Sequence, residues 1–405
     1  MRLAFLAILL TQAAAPSARH IVPHQSGAES YESRPAAAPE FAPFGDPLRT
    51  MVQKAVVATG RKQGVRVVPD ARLDAAMTDL VRAMRERENP HSEAVEFVLE
   101  HYGIVEPYPR FVIVRVARGS DQRASDNAAF EALVHKLELP EGRPLATMGV
   151  GIDRATSTWL VTLAIQDKSL DLEPVPRKLP HEGRARVAGK LLGAFTTPHL
   201  FVTDPHGGAR TLPAEANGAL FSADLRCDRG DGRYQVEVFG TDAAGPRVLA
   251  NFSVYCGATP PATFSGAAGF SAASIDTKQS EGRLLELVNR DRRAAGLPAL
   301  EADPALATVA RGHSADMLEN HFVGHVSPTT GGPGDRVKRA GLTFTRLLEN
   351  VGRNSSVEEL EIALMASPGH RSAILDPRAQ RVGIGIVVDD SSPDFPVVLG
   401  TQLFR

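Results

Sequence analysis

The most constraining feature of this chain is a pattern that occurs twice. In each copy an aspartate suited to cap a helix, Asp70 or Asp303, begins an amphipathic helix whose inner face follows the spacing i, i+3, i+4, i+7 and i+11. These positions are apolar except for His313, at i+7 of the second copy, which we expect to be a buried core histidine. A Gly-x-Gly segment, from Gly149 or Gly383, then precedes a long apolar strand. The distance from the aspartate to the first glycine differs by one residue between the copies. We therefore predict two related domains, the first a degenerate copy of the second.

The region between the copies, residues 186–257, has a different pattern. Short runs of alternating polar and apolar residues are separated by turn-forming segments, which predicts β-strands packed as a small sandwich. The only two cysteines of the chain, Cys227 and Cys256, both fall on inward-facing positions of these strands. A disulfide between them is one prediction, and two separate buried thiols are the other.

The start of the chain resembles an export signal. An arginine precedes the apolar run Leu3–Leu10, which is too short to span a bilayer, and small residues follow it. We expect the mature protein to be exported to the periplasm or the extracellular space, where a disulfide can form. The 45 basic and 47 acidic side chains give a net charge of −2 and no long charged block, which argues against a nucleic-acid partner.

These patterns predict an α+β chain. Its predicted parts are a signal peptide (1–18), a linker (19–47), a degenerate α/β domain (48–170), a β-sandwich (180–257), a second linker (258–280) and a C-terminal domain (281–405).

The last third of the chain carries a series of short motifs. In order they are Asn289-Arg-Asp-Arg, His325-Val-Ser, Asp335-Arg-Val-Lys, Leu348-Glu-Asn, Ser367-Pro-Gly-His-Arg and Val382-Gly-Ile-Gly. Together they resemble the bacterial branch of the CAP superfamily, the cysteine-rich secretory protein, antigen 5 and pathogenesis-related proteins. The resemblance covers residues 280–404 and implies an α-β-α sandwich with a cleft lined by histidines and glutamates. Leu348 and Leu364 depart from a usual Gly and Trp, and Ser367 stands where the animal and plant branch has a second glutamate.

The resemblance places the cleft residues at His325, Glu349 and His370, with Ser367 and Asn350 as further candidate ligand-binding residues. Two imidazoles and a carboxylate can hold a divalent metal such as zinc, with water in the remaining position. Without a metal they can bind a polar ligand, pass a proton, or simply hydrogen-bond one another to fix loops. Neither a Gly-x-Ser-x-Gly elbow nor a His-Glu-x-x-His pattern occurs, which argues against a serine hydrolase and a zinc protease of those types.

The first copy contains similar residues near the corresponding positions, namely His91, Glu106 and His135. Two hypotheses follow: the first copy keeps a reduced version of the cleft, or it has decayed into a structural half.

We favour a secreted CAP-domain protein that binds a small molecule, lipid or cell-envelope component in the cleft, with or without a metal. A metal-assisted extracellular hydrolase or peptidase is the alternative, with Glu349 as general base on a bound water. A third possibility is a purely structural interaction module. The resemblance implies a fold and a compartment more strongly than an activity, because one fold supports many functions.

Overall fold

The structure is a computed structural model that describes residues 19–34, 45–84, 88–137, 139, 144–266, 269–270, 277–389 and 397–405. The predicted signal peptide lies outside the described residues. The described chain contains both helices and strands, which confirms the predicted α+β class. The helices of the described part are α1 (Pro47–Gln63), α2 (Ala71–Ala83), α3 (Ser92–His101), α4 (Gln122–His135), α5 (Thr277–Ala294), α6 (Pro304–Glu319), α7 (Pro333–Arg339), α8 (Val357–Ala366) and α9 (Pro368–Ile374).

The C-terminal domain is built on a four-stranded sheet. Its strands, in spatial order, are β20 (Glu301–Ala302), β22 (Arg381–Asp389), β23 (Val397–Phe404) and β21 (Leu348–Asn354). The first pair is parallel and the other two pairs are antiparallel. Helices α5 and α8 cover one face, and α6 covers the other, so the domain is an α-β-α sandwich.

The two glycines of strand β22 explain how α6 lies so close to the sheet. A Cβ atom on Gly383 would stand 2.3 Å from the carbonyl carbon of Leu306, and one on Gly385 would stand 2.0 Å from the nitrogen of Arg311. Only glycine allows this approach of helix to strand. The alternating isoleucines of β22 point the other way and join the core under α5 and α8.

The N-terminal domain has a sheet of the same design. Its strands, in spatial order, are β3 (Arg66–Pro69), β6 (Leu145–Asp153), β7 (Thr158–Asp167) and β5 (Arg110–Ala117). Again the first pair is parallel and the others are antiparallel. Gly149 and Gly151 pack against Leu73 and Met77 of α2, with the would-be Cβ atoms 2.5 and 2.4 Å from helix backbone atoms. The common origin of the two domains stays a prediction.

Both helices that begin at the repeated aspartates are capped as predicted. Asp70 accepts a hydrogen bond from the amide of Arg72, and Asp303 accepts from the amides of Ala305 and Leu306. Each carboxylate satisfies amides that have no partner inside the helix.

Between these domains lies a β-sandwich. One sheet contains β10 (Lys178–Leu179), β17 (Gly245–Cys256), β16 (Gly232–Asp242), β12 (Thr196–Thr203) and β13 (Ala209–Pro213). The other contains β14 (Glu215–Asn217), β15 (Leu220–Arg226), β11 (Arg184–Leu191) and β8 (Leu170–Leu172). Cys227 follows β15 and Cys256 ends β17, and their disulfide joins the two sheets. The predicted bridge is therefore confirmed.

The segments that we predicted as linkers contribute short strand pairs. Strand β1 (Arg19–Ile21) pairs with β18 (Phe264–Gly266), and β2 (Ser30–Tyr31) pairs with β9 (Val175–Pro176). A third pair joins β4 (Asn89–Pro90) to β19 (Gly269–Phe270). Ile21 and Tyr31 are buried, so residues 19–34 pack on the N-terminal domain and the sandwich.

Candidate functional site

His325 lies in the turn between α6 and α7, and a buried carboxylate fixes this turn. Asp316, near the end of α6, accepts hydrogen bonds from the hydroxyls of Ser327, Thr329 and Thr330. Burial alone would raise the pKa of Asp316, but these hydroxyls hold it below its ordinary value. The ionised carboxylate therefore organises the turn that presents His325. Sequence reasoning quoted Ser327 in its motif but missed Asp316.

Glu349 lies on β21 with its side chain 2% exposed. One of its oxygens is 2.9 Å from Nδ1 of His325, and the other forms an ion pair with Arg336 of α7. The same guanidinium donates to the carbonyl oxygens of His325, at 3.0 Å, and Gly331, at 2.6 Å. Arg336, which sequence reasoning did not assign, therefore ties Glu349 to the turn that carries His325.

His370 is in the first turn of α9, where Ser367 is the N-cap. The Ser367 hydroxyl oxygen is 2.8 Å from Nδ1 of His370. Asn350 is buried and donates to the carbonyl oxygen of His370 at 3.1 Å and to the side chain of Gln402 at 3.0 Å. Of the residues predicted to bind ligand, Ser367 thus contacts the ring of His370, and Asn350 contacts its backbone.

The environment of His370 keeps its ring neutral. Burial lowers the pKa of His370 to about 3, and the nearby charge of His325 acts in the same direction. That the His325, Glu349 and His370 side chains form one ligand cleft stays a prediction. In each ring Nδ1 bonds to a protein group, whereas Nε2 has no hydrogen-bond partner within the described residues.

The arrangement does not fit a metal held by His325, His370 and Glu349 together. Both oxygens of Glu349 are engaged, one of them by a cationic guanidinium. In the described ranges, no group of three or more His, Cys, Asp or Glu side chains is arranged to hold a metal ion. A metal bound here would have to use the two Nε2 atoms without Glu349, or break its ion pair with Arg336.

The β-sandwich borders the cleft. The amide of Val326 donates to the carbonyl oxygen of Ala244, at the tip of the β16–β17 hairpin, and Arg247 donates to the carbonyl oxygen of Val323 at 2.9 Å. Gly245 sits against His325: a Cβ atom there would be 3.5 Å from the histidine Cβ. The turn that carries His325 is therefore packed against a second domain, which the sequence motifs of one domain could not reveal.

A cavity of about 640 Å³ lies elsewhere on the C-terminal domain and contains none of the predicted site residues. It is lined in part by Phe344, Arg346, Arg381 and Arg405. These arginines are paired with Asp376, Glu301 and Asp303 respectively, so their charges are already compensated.

The N-terminal domain does not bring its three candidate residues together. His91 precedes α3 and lies 3.4 Å from Glu359 of the C-terminal domain. Glu106 is buried, with its Oε1 3.5 Å from Nζ of Lys168, and His135 is exposed at the end of α4. Of the two hypotheses, the arrangement favours a structural half.

Strand register gives the physical reason. Gly151 of the first sheet and Gly385 of the second occupy equivalent positions, and the strand pairing extends this equivalence to the edge strands β5 and β21. At one equivalent position β5 has Phe111 and β21 has Glu349. An aromatic ring cannot accept the hydrogen bonds that the carboxylate accepts. The N-terminal sheet therefore lacks the acid of the cleft.

Comparison with known proteins agrees with the fold and the motif series. Residues 285–402 match the CAP family, described as the cysteine-rich secretory protein family. This part of the chain is therefore a CAP domain.

Two relatives come from Bacillus subtilis (strain 168). The uncharacterized protein YkwD is 34% identical over 132 residues, which are 32% of this chain and 51% of that protein. The uncharacterized membrane protein YlbC is 37% identical over 112 residues, 26% of this chain and 31% of that protein. The chain thus spans about half the length of the first relative and less of the second.

Among solved structures, an extracellular protein with an SCP domain from Bacillus anthracis str. Ames is 17% identical, with a TM-score of 0.29. The match covers 58% of this chain and 85% of that one.

Proposed function

We propose that the CAP domain binds a small hydrogen-bonding molecule of the cell envelope between the rings of His325 and His370. The observation that carries this proposal is that the two rings make the same pattern of hydrogen bonds. In both, a protein group holds Nδ1 and leaves Nε2 without a partner in the described part of the chain. Two polar atoms prepared in this way and bordered by a second domain are typical of a recognition site.

The ligand class follows from the chemistry of the rings. His370 is neutral at physiological pH because burial lowers its pKa to about 3. A neutral imidazole nitrogen offers one directional hydrogen bond and no charge. Molecules with hydroxyl or amide groups suit such a site, and envelope sugars and lipid headgroups carry these groups.

The hydrolase alternative requires Glu349 to accept a proton from water. Both carboxylate oxygens of Glu349 are engaged by His325 and Arg336, and the side chain is 2% exposed. This arrangement favours binding over general-base catalysis. Zinc binding at the cleft stays a prediction, and the experiment below includes it.

Export is part of the proposal. Residues 1–18 have the composition of a signal peptide, and the disulfide between Cys227 and Cys256 suits an oxidising compartment. We therefore place binding outside the cytoplasm.

The test is affinity-selection mass spectrometry on the full chain, with a panel of envelope sugars and lipids. The variants are His325→Ala and His370→Ala, and the matched control is His135→Ala, which removes an exposed histidine of the N-terminal domain. We expect retention at least about tenfold weaker in both cleft variants, equivalent to one lost hydrogen bond of about 1.4 kcal/mol. The control variant is expected to retain ligand as well as the wild type does. Equal retention by all four proteins would contradict the proposal.

Zinc is measured on the same proteins by calorimetry. If the wild type takes up zinc and both cleft variants do not, the two histidines form a metal site. That result would contradict the proposal that the imidazoles bind the envelope molecule without a metal.

A further inference from the structure

The β16–β17 hairpin of the sandwich holds the chain segment of His325 on both sides of that residue. On one side, Nη2 of Arg247 donates to the carbonyl oxygen of Val323 at 2.9 Å. On the other side, the amide of Val326 donates to the carbonyl oxygen of Ala244 at 3.1 Å. Both contacts come from one element of another domain, and together they flank His325.

Two side chains of the CAP domain hold the same segment. Nε2 of His313 donates to the carbonyl oxygen of Gly324 at 2.9 Å, since a carbonyl oxygen can only accept a hydrogen bond. His313 is 1% exposed, so the predicted core histidine is confirmed. Arg336 donates to the carbonyl oxygen of His325 at 3.0 Å. Of the consecutive carbonyl groups from Val323 to His325, the first is therefore bonded by the sandwich and the next two by the CAP domain.

This segment has no regular secondary structure of its own. Residues 322–326 belong to no helix or strand, so no ladder of backbone hydrogen bonds fixes their dihedral angles. The bonds from neighbouring elements fix them instead. Nδ1 of His325 lies 2.9 Å from Glu349, and N–H···O bonds extend only to about 3.2 Å. A displacement of the segment by about 1 Å would therefore break the bond between His325 and Glu349.

The tip of the hairpin is shaped for its contact with the CAP domain. Oδ1 of Asp242 accepts a hydrogen bond of 2.8 Å from the amide of Ala244, which closes the turn. Gly245 has a φ of 100°, a conformation that residues with a side chain rarely adopt. A Cβ atom on Gly245 would be 3.3 Å from Cγ2 of Val326. The tip is thus in close contact with the segment that it holds.

We propose that Arg247 is a positioning residue of the cleft, supplied by the sandwich domain, and that the hairpin tip acts with it on His325. Together they fix the backbone on both sides of His325, so that Nδ1 of the ring meets Glu349 and Nε2 is left for a ligand. The sandwich is therefore part of the binding unit. This inference rests on the proposed function, because it takes the ring of His325 as a ligand contact.

The first measurement uses no ligand. It reads the ring ¹⁵N signals of His325 and His370 in the full chain, and His325→Ala and His370→Ala identify them. Arg247→Met keeps an apolar stem but removes the guanidinium. We expect it to shift the ring signals of His325, because the bond to Glu349 is loosened, and to leave those of His370 unchanged. Arg247→Lys keeps a cationic donor and is expected to restore the wild-type signals of His325.

Arg233→Met is the matched control. Arg233 lies on β16, and its guanidinium also crosses a domain boundary, but it pairs with Glu96 and Glu100 of the N-terminal domain. We expect this variant to lose stability without any change in the signals of His325. Two results would overturn the proposal: wild-type signals of His325 in Arg247→Met, or an equal shift in Arg233→Met.

A second variant covers the case in which Arg247→Met does not fold. Asp242→Ala removes the acceptor that closes the hairpin tip, and we expect it to shift the signals of His325 as well. Unchanged signals in Asp242→Ala would then overturn the proposal.

The second measurement is retention of the envelope compound that the wild type retains most strongly. We expect retention about three- to tenfold weaker in Arg247→Met and wild-type retention in Arg233→Met. Wild-type retention in Arg247→Met would overturn the positioning role in binding. If the wild type retains no compound, the proposed function fails, whereas the ring signals still decide whether Arg247 positions His325. The two failures are therefore distinguishable.

Discussion

Glu359 of the CAP domain accepts a hydrogen bond of 2.6 Å from the backbone amide of Ser92, the first residue of α3 in the N-terminal domain. His91, the N-cap residue of that helix, makes no side-chain capping bond of its own. Asn354 of the CAP domain adds a hydrogen bond of 3.2 Å to the Ser92 hydroxyl. One domain thus caps a helix of the other, 267 residues away in sequence.

Glu359→Ala is therefore expected to destabilise the N-terminal domain. The change removes a helix cap and leaves the buried amide of Ser92 without an acceptor, which lowers the free energy of unfolding by about 1–2 kcal/mol. Denaturant unfolding measures the loss, and hydrogen exchange of the α3 amides locates it. The matched control is Glu358→Ala, the exposed neighbour on α8. Faster exchange confined to the CAP domain would contradict the cross-domain cap.

Arg336→Met is expected to destabilise the CAP domain around His325 and Glu349. The change leaves the Glu349 carboxylate, 2% exposed, without its cation and frees the turn that carries His325. Breaking a buried ion pair by removing one partner costs about 3–5 kcal/mol. Thermal unfolding measures the effect, and Arg339→Met on the same helix, where the side chain is exposed, is the control. Equal melting temperatures of the two variants would rule out the anchoring role.

Glu361 gives the CAP domain a defined pH dependence. Burial raises the pKa of Glu361 to about 8; the charge of Asp291 acts in the same direction, while the bond from Gln402 and the charge of Arg290 oppose it. Between the ordinary pKa of 4.5 and about 8, the folded state binds more protons than the unfolded state. The contribution of this group to stability is therefore present below pH 4.5 and is lost as the pH rises towards 8.

Glu361→Gln keeps the shape and removes the titration. We expect its stability relative to the wild type to increase as the pH rises from 4.5 to 8, by as much as about 3–4 kcal/mol. Denaturant unfolding at several pH values measures the difference between the two proteins. A difference that does not vary with pH would show that folding leaves the pKa of Glu361 unchanged.

Removal of the disulfide is expected to destabilise the sandwich. The bridge closes a loop of 29 residues, and the chain-entropy estimate for such a loop is about 3.6 kcal/mol. The double variant Cys227→Ala with Cys256→Ala should unfold at lower denaturant concentration. A reducing agent should lower the stability of the wild type and leave the double variant unchanged. Equal sensitivity of both proteins to reductant would contradict this account.

Local signals in the sequence predicted the elements well, as the two capped helices illustrate. Asp303, followed by Pro304 and an apolar spacing of helical period, requires only neighbours within one or two turns. The alternation of Gly383 and Ile384 likewise shows which side of β22 meets a helix, because side chains of a strand alternate between the faces. The family motifs added the cleft residues, but not the groups that hold them.

The groups that hold the cleft were beyond prediction for a physical reason. Arg336 lies in the Asp335-Arg-Val-Lys motif, where its local sequence does not distinguish it from a solvated charge, and only the folded turn brings it to Glu349. Arg247 reads like any charged residue near the start of a strand. Its significance depends on the CAP domain packed against it.

The sequence by itself determined the main helices, the strands of the sandwich with their two inward-facing cysteines, and the resemblance of the last third to the CAP family, because each depends on short-range periodicity, capping and motif spacing. The tertiary structure decided which residues meet: His325 with Glu349, Val323 with Arg247, and Ser92 with Glu359. These contacts join residues 24, 76 and 267 positions apart. Hydrogen bonds act over about 3 Å, so they are formed only once the packing of whole domains has brought such distant segments together.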